Sequence, residues 1–414
     1  MKGNWPIQYV RNPNIQKPIE KIWDDLDGFT FEYFEDNGDL NKIDLFIPIP
    51  PLSYRGKFTK GLLMTQASEY LLKQYPDLRK LFFIGAYSMC SAYPWWDGAD
   101  VYFVCYENKA REIHHKNKYR KKKDIICLPL QDADYTDEYS IMPAYNIERD
   151  YDIICVATPY DVKNHCITAQ AIKIYEQKYN KVLKCKFVFG LKEIKRNKRG
   201  DIDFSELHPN SQKIIEQMNE ILNHNLSKYI DIIPSVPYNE LPREYSSAKC
   251  LVLSSLLEGK NRALSEAMCC DTPIVIFKDF NKWARMGYPV FYGNSGEYAE
   301  EFTPESLADA IHKVITNTEK YEPRKNYLKH NGRKNFVNIC AKNIPYYKEN
   351  IPEFEDENFV DNIWVNLACQ RNYQKSFHDF IYDKEGTFNW VRGIDNIDYL
   401  IKYYYFLFGI EHEQ

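Results

Sequence analysis

Short runs of apolar, β-branched and aromatic residues alternate along the chain with stretches whose apolar positions recur every three or four residues. These are the signatures of buried strands and amphipathic helices. IDLFIPIP (Ile43 to Pro50), KLFFIGAY (Lys80 to Tyr87) and DIICLPL (residues 124–130) read as strands, and Thr59 to Gln74 reads as a helix. Ala99 to Lys116 reads as a buried strand running into a charged helix. Beyond the polar stretch YNIERDY (Tyr145 to Tyr151) the pattern restarts, with strands predicted at Asp152 to Pro159, Lys184 to Leu191, Lys249 to Ser255 and Asp271 to Phe277. Ile167, Ala171, Ile174 and Tyr175 mark a helix between the first two of these, and Pro242 to Ser247 a shorter one. Such alternation predicts an α/β fold. We place a first domain at residues 1–148, a second at 149–320, and a final segment at 321–414, read as helices that return to pack on the first domain.

Composition narrows the choice. At 414 residues the chain has room for two to three domains, and 44% hydrophobic against 27% charged residues excludes disorder driven by low hydrophobicity. The net charge of -4 weighs against a dedicated nucleic-acid binder. One basic run departs from that balance: Lys109 to Lys123 holds eight Lys or Arg and two His. It reads as a solvated helix face, with an anionic acceptor or an anionic membrane surface as the functional alternatives. No signal peptide or membrane-spanning run is apparent, and the eleven cysteines are scattered without a CxxC pair, so the chain is read as cytoplasmic, peripheral to a membrane if the basic run contacts one. Trp95, Trp96 and Tyr87 are either core or an aromatic binding platform.

The segment that carries chemistry is LLEGKNRALSEAMCCDTPIV, in which Glu258 and Glu266 are separated by seven residues. Glu258 and Gly259 stand where a buried strand turns into a helix, so backbone N–H groups near Lys260 and Asn261 are placed to hold an anion, naturally a phosphate. Glu266 lies more than a turn along the helix, on the edge of the stripe Leu264, Ala267, Met268 and Cys270, half-buried and suited to accept hydrogen bonds from ribose hydroxyls. The alternative is that Glu258 caps the helix and Glu266 is an ordinary surface residue.

This segment resembles the retaining nucleotide-sugar glycosyltransferases of the GT-B fold, in particular the large family 4-like group with the E-x7-E signature, from Asp152 to about Ile315. The resemblance implies two doubly wound, Rossmann-like domains facing a cleft, with the nucleotide-sugar donor on the second and the acceptor (a glycan, a lipid-linked glycan or another compound) on the first. It implies no metal and no cofactor beyond the donor, and Asp132-Ala133-Asp134 is accordingly given no metal. In CVATPYDVKNH it matches Lys163 to the family's diphosphate-binding lysine, while Thr158 occupies the position of its arginine. Since a hydroxyl cannot replace a cation, Lys260 and Arg262 become candidates for the missing charge, solvated side chains being the alternative. Glu258 and Lys163 are then the catalytic candidates; Glu266, Gly259, Lys260, Asn261, Arg262 and Thr158 bind the donor. Two departures are the missing glycine pair after Phe277 and the missing first-domain histidine in Ser88 to Gly98. His165 reads as a cap or surface group, a place facing the cleft being the alternative. Modification of nucleic-acid bases and non-catalytic sugar-nucleotide or glycan binding remain as alternative functions.

Overall fold

In a computed structural model, the described residues are 44–49, 51–54, 57–65, 72–87, 99–103, 126–130, 132–136, 138–139, 141–190, 207–255, 258, 260–278, 293–366, 390–392, and five positions between 401 and 408. The basic run at 109–123, the tryptophans at 95–96, and Gly259 lie outside them.

The first part of the chain forms β1 (Asp44–Ile49), β2 (Leu52–Tyr54), β3 (Lys57–Thr59), β4 (Gly61–Thr65), β5 (Phe82–Tyr87), β6 (Val101–Phe103) and β7 (Cys127–Leu128). The middle part forms β8 (Tyr151–Val156), α1 (His165–Tyr179), β9 (Cys185–Val188), α2 (Pro209–Ile221), β10 (Ile230–Ile233), α3 (Leu241–Ser246), β11 (Ala248–Leu253), α4 (Arg262–Cys269), β12 (Ile274–Phe277), β13 (Gly296–Ala299), α5 (Pro304–Ile315) and α6 (Pro323–His330). It is followed by α7 (Gly332–Lys342), α8 (Ile344–Asn350), α9 (Phe359–Asn366) and β14 (Trp390–Arg392). Two compact units result. One holds Glu138–His330, and the other joins the described residues from 44 to 136 with those from Asn331 onward. The divisions fall at 138 and 331, where the sequence pattern suggested 149 and 321.

The first unit to form in sequence has a six-stranded sheet in the order β14-β1-β4-β5-β6-β7, parallel from β4 to β7 and antiparallel at β1 and β14. The helices after residue 331 pack on this sheet: Phe336, Val337 and Cys340 of α7, Tyr347 of α8, and Phe359 and Ile363 of α9 share one buried cluster with Leu62, Met64, Phe83, Val101 and Phe103, whereas Tyr327 of α6 joins the core of the other unit. The helix expected at Thr59 to Gln74 is a correction, because its first half is the end of β3 and the whole of β4. Every residue of β4 is buried, and a short apolar run buried on both faces has no strand-like alternation to distinguish it from a helix.

The unit at 138–330 has six strands, all parallel, in the order β10-β9-β8-β11-β12-β13. Numbered within the unit this is 3-2-1-4-5-6, the doubly wound Rossmann order. Ile153, Cys155, Phe187 and Val252 pack against α1 and α5 in one cluster, and Ile154, Leu251, Leu253 and Ile276 against α3 and α4 in another, so the sheet is buried on both faces. The α/β class with Rossmann-like units is therefore what the chain adopts. Strands β10 and β13, four residues each, carried too short a pattern to be read in advance.

Candidate active site at the switch point of the parallel sheet

In a doubly wound sheet the chain runs outward in one direction from the first strand, then returns to run outward in the other. The loops leaving the two central strands therefore diverge and open a crevice at their carboxyl ends. Here the central strands are β8 and β11. The loop after β8 carries Thr158 and Lys163, and the loop after β11 carries Glu258, Lys260 and Asn261.

Across that crevice Lys163 Nζ forms an ion pair with Glu258 Oε1, and Ser255 Oγ donates to the same oxygen at 2.7 Å. The Glu258 side chain keeps 9% of its exposure and that of Lys163 20%, so the pair is largely desolvated and removing either partner would strand a buried charge. The backbone beneath it is tied across the same two loops. Thr168 Oγ1 donates to Ser254 Oγ at 2.7 Å, and Ser254 Oγ donates to the Asn164 carbonyl at 3.0 Å. Asn164 itself has φ 52°, a left-handed turn that lets the chain leave a single 3-10 turn (Asp161–Lys163) and enter α1.

His165 corrects the sequence reading, for it is neither a cap nor a surface group. It is 1% exposed and packs against Phe187 and Phe189, with ring centroids 5.7 and 5.5 Å away. Its Nε2 lies 3.2 Å from the Thr158 carbonyl and its Nδ1 3.6 Å from Cys155 Sγ. A carbonyl only accepts, so Nε2 carries the proton and Nδ1 accepts from the thiol. Burial drives the imidazole down to about 4, and the Cys155 thiol up to about 12, so both are neutral around pH 7. The histidine thus fixes the loop that presents Thr158. Nothing in the sequence pattern separated this role from that of an exposed helix-opening residue.

At the start of α4 the helix is capped by Asn261, whose Oδ1 accepts from Leu264 N at 3.3 Å. The capping alternative for Glu258 is therefore corrected, because Asn261 takes that role while Glu258 faces Lys163. Residues 263–269 are all buried. Glu266 is buried too, at 3% exposure, rather than half-buried as its place on the edge of the stripe suggested. A carboxylate there needs partners. Tyr245 of α3 donates its hydroxyl to Oε2 at 2.8 Å, and Arg262, one turn earlier, reaches Oε1 at 3.3 Å. The Arg262 guanidinium also stands 5.9 Å from the centre of the Tyr238 ring. Tyr245, Ser255 and Ser254 were not singled out from the sequence, since a tyrosine in a short helix and serines ending a strand carry no distinguishing spacing.

The structure therefore brings Lys163 and Glu258 together, and Arg262 and Glu266 together, on the two sides of one loop-helix segment. Among the described residues no group of three or more His, Cys, Asp or Glu is arranged to hold a metal ion, and no helix is long and apolar enough to cross a membrane. Eight cysteines fall among the described residues, and six of them are buried.

Comparison with known proteins falls on the same unit. Residues 140–335 match the family described as glycosyl transferases group 1, a little less than half of the chain. The matched region contains the whole Rossmann-ordered sheet and both ion pairs. No curated protein matches the sequence. Among solved structures, the chain is similar to an S. aureus TarM mutant in complex with fondaparinux, alpha-GlcNAc-glycerol and UDP (14% identity, 70% of this chain and 51% of that one, TM-score 0.41). It is also similar to the pneumococcal O-GlcNAc transferase GtfA in complex with UDP and GlcNAc (11%, 76% and 65%, TM-score 0.45). A third similar structure is sucrose-phosphate synthase from Thermosynechococcus elongatus (13%, 82% and 81%, TM-score 0.47). The chain spans between half and two thirds of the first two of these.

Proposed function

We propose that the chain is a retaining, metal-independent glycosyltransferase that moves a sugar from a nucleotide-diphosphate sugar to an acceptor hydroxyl. The observation that carries this reading is the meeting of Lys163 and Glu258 at the carboxyl ends of β8 and β11, where doubly wound sheets take their ligands. In the proposed reaction the bond between the anomeric carbon and the diphosphate oxygen breaks, and the acceptor oxygen bonds to that carbon from the face the diphosphate leaves. The acceptor proton passes to the departing phosphate oxygen, so no carboxylate nucleophile is required. Lys163 offsets the charge the diphosphate gains, Glu258 orients the donor sugar, and Glu266 accepts from the ribose hydroxyls. Asn261 and the first amides of α4 lie beside the phosphates, and Lys260 or Arg262 supplies the cation that Thr158 lacks. The acceptor is a glycan, a lipid-linked glycan or another hydroxyl compound, met in the cytoplasm or at a membrane face.

Non-catalytic binding of a sugar nucleotide is the second reading, favoured by the threonine at position 158. Both are tested by incubating the full chain with a panel of nucleotide-sugars and glycan acceptors in chelator, following nucleoside diphosphate release and the anomeric configuration of any product by NMR. Release with retention supports the transferase. Saturable binding without turnover supports the binder, and turnover that chelation abolishes overturns the metal-free assignment.

A further inference from the structure

The two glutamates of the motif share one property that their spacing does not require, for each holds a cation that a diphosphate would draw. Glu258 holds Lys163, which comes from a loop 95 residues away in sequence, and Glu266 holds Arg262 from its own helix.

Building on the donor-site reading above, we infer that donor binding is an exchange of partners. Lys163 and Arg262 leave the carboxylates for the diphosphate, while Glu258 and Glu266 turn to the hydroxyls of the sugar and the ribose. Each half of the exchange is chemically matched. A nucleotide-sugar diphosphate brings two negative charges and no hydroxyl near the bridging oxygen, so it competes for cations. Ribose and hexose bring hydroxyl donors and no charge, so they can take the place of the cations on the buried carboxylates. Glu266 keeps one partner throughout, because the Tyr245 hydroxyl occupies Oε2 and only Oε1 changes hands. On this account the absence of an arginine at Thr158 is compensated from within the motif, since Arg262 becomes available to phosphate when the ribose takes its place on Glu266. The exchange also gives selectivity. An isolated phosphate draws the cations from their carboxylates and returns no hydroxyl donors to them, whereas the complete donor replaces both partners.

The glutamates are thus competitors of phosphate, and removing a competitor has a sign opposite to removing a ligand. Inorganic pyrophosphate, which engages the cations alone, is the probe, titrated calorimetrically into the full chain. Glu258→Gln frees Lys163 and is expected to tighten pyrophosphate binding at least threefold. The double variant Glu258→Gln with Lys163→Ala loses that gain, and Arg262→Ala alone weakens binding. Glu258→Asp, which draws the carboxylate back from Lys163 and keeps its charge, provides a second variant with the same sign should Glu258→Gln fold poorly. If wild type binds pyrophosphate and both Glu258 variants bind it equally or more weakly, the exchange is overturned while the phosphate site stands. If neither wild type nor any variant binds pyrophosphate or a nucleoside diphosphate, the donor-site reading falls and the exchange falls with it.

Discussion

The two ends of the loop-helix segment at 258–266 solve the problem of a sequestered carboxylate differently. Glu258 is held across the crevice by Lys163, from the loop after β8, with Ser255 as its neighbour in sequence. Glu266 is held within a wall of the unit, by Arg262 on the same helix and Tyr245 on the helix beside it. The first arrangement ties two loops that a ligand in the crevice would touch. The second is part of the packing of α3 on α4. Substitution at the crevice end should therefore register mainly in chemistry, and substitution at the wall end in stability as well as binding.

The largest effect that separates the two ends is expected from Lys163→Ala. In the proposed mechanism its loss removes a charge acting where the transition state gains charge, so turnover at saturating substrates should fall by about 10²–10³-fold. Nucleoside binding should change far less, and steady-state kinetics beside calorimetry reads both. If the variant turns over at the wild-type rate, the crevice end is not catalytic.

The loop after β8 also carries a pH signature. His165 is held neutral in the fold, its imidazole lowered to about 4 by burial from an ordinary value near 6.5. The unfolded chain thus binds the extra proton between these values and the folded one does not. The stability owed to this residue is complete above about pH 6.5 and is lost as pH falls towards 4, a change on the order of 3 kcal/mol. Denaturant unfolding across this range should show that slope in wild type and a flatter one in His165→Phe.

At the wall end, Tyr245→Phe removes the donor to Glu266 Oε2. A buried hydrogen bond to a charged group carries about 1.5–3 kcal/mol, so the unfolding midpoint should drop accordingly while transfer persists. Glu266→Gln should weaken nucleotide binding by about 1–2 kcal/mol, since an amide oxygen still accepts but the charge-assisted bond is lost. The burial of Glu266 adds a stability cost there that a half-buried residue would not show. Unchanged affinity in this variant would remove the ribose role.

What could be read in the sequence follows the same division. The strands β8, β9, β11 and β12 were legible because apolar runs bounded by polar turns are unambiguous when a helix pattern separates them. The two glutamates were legible because their spacing sets their place on turn and helix, whereas Lys163 was reached through the resemblance carried by CVATPYDVKNH. Contacts between distant segments were not. No spacing connects Tyr245 to Glu266, or His165 to the Thr158 carbonyl and to Phe187 and Phe189, since those partners meet only when the sheet closes. The same limit misread β4, whose neighbours on both sides hide the alternation that identifies a strand.

The central claim is that a nucleoside diphosphate binds at the carboxyl ends of β8 and β11. Backbone hydrogen exchange followed by mass spectrometry, with a panel of nucleoside diphosphates at saturation and chelator present, addresses it most directly. The account predicts that at least one member slows exchange in peptides covering residues 157–164 and 260–268, and that Lys163→Ala reduces the protection of the first. Protection confined to peptides outside the unit at 138–330, or saturable binding that leaves both stretches unchanged, would contradict it.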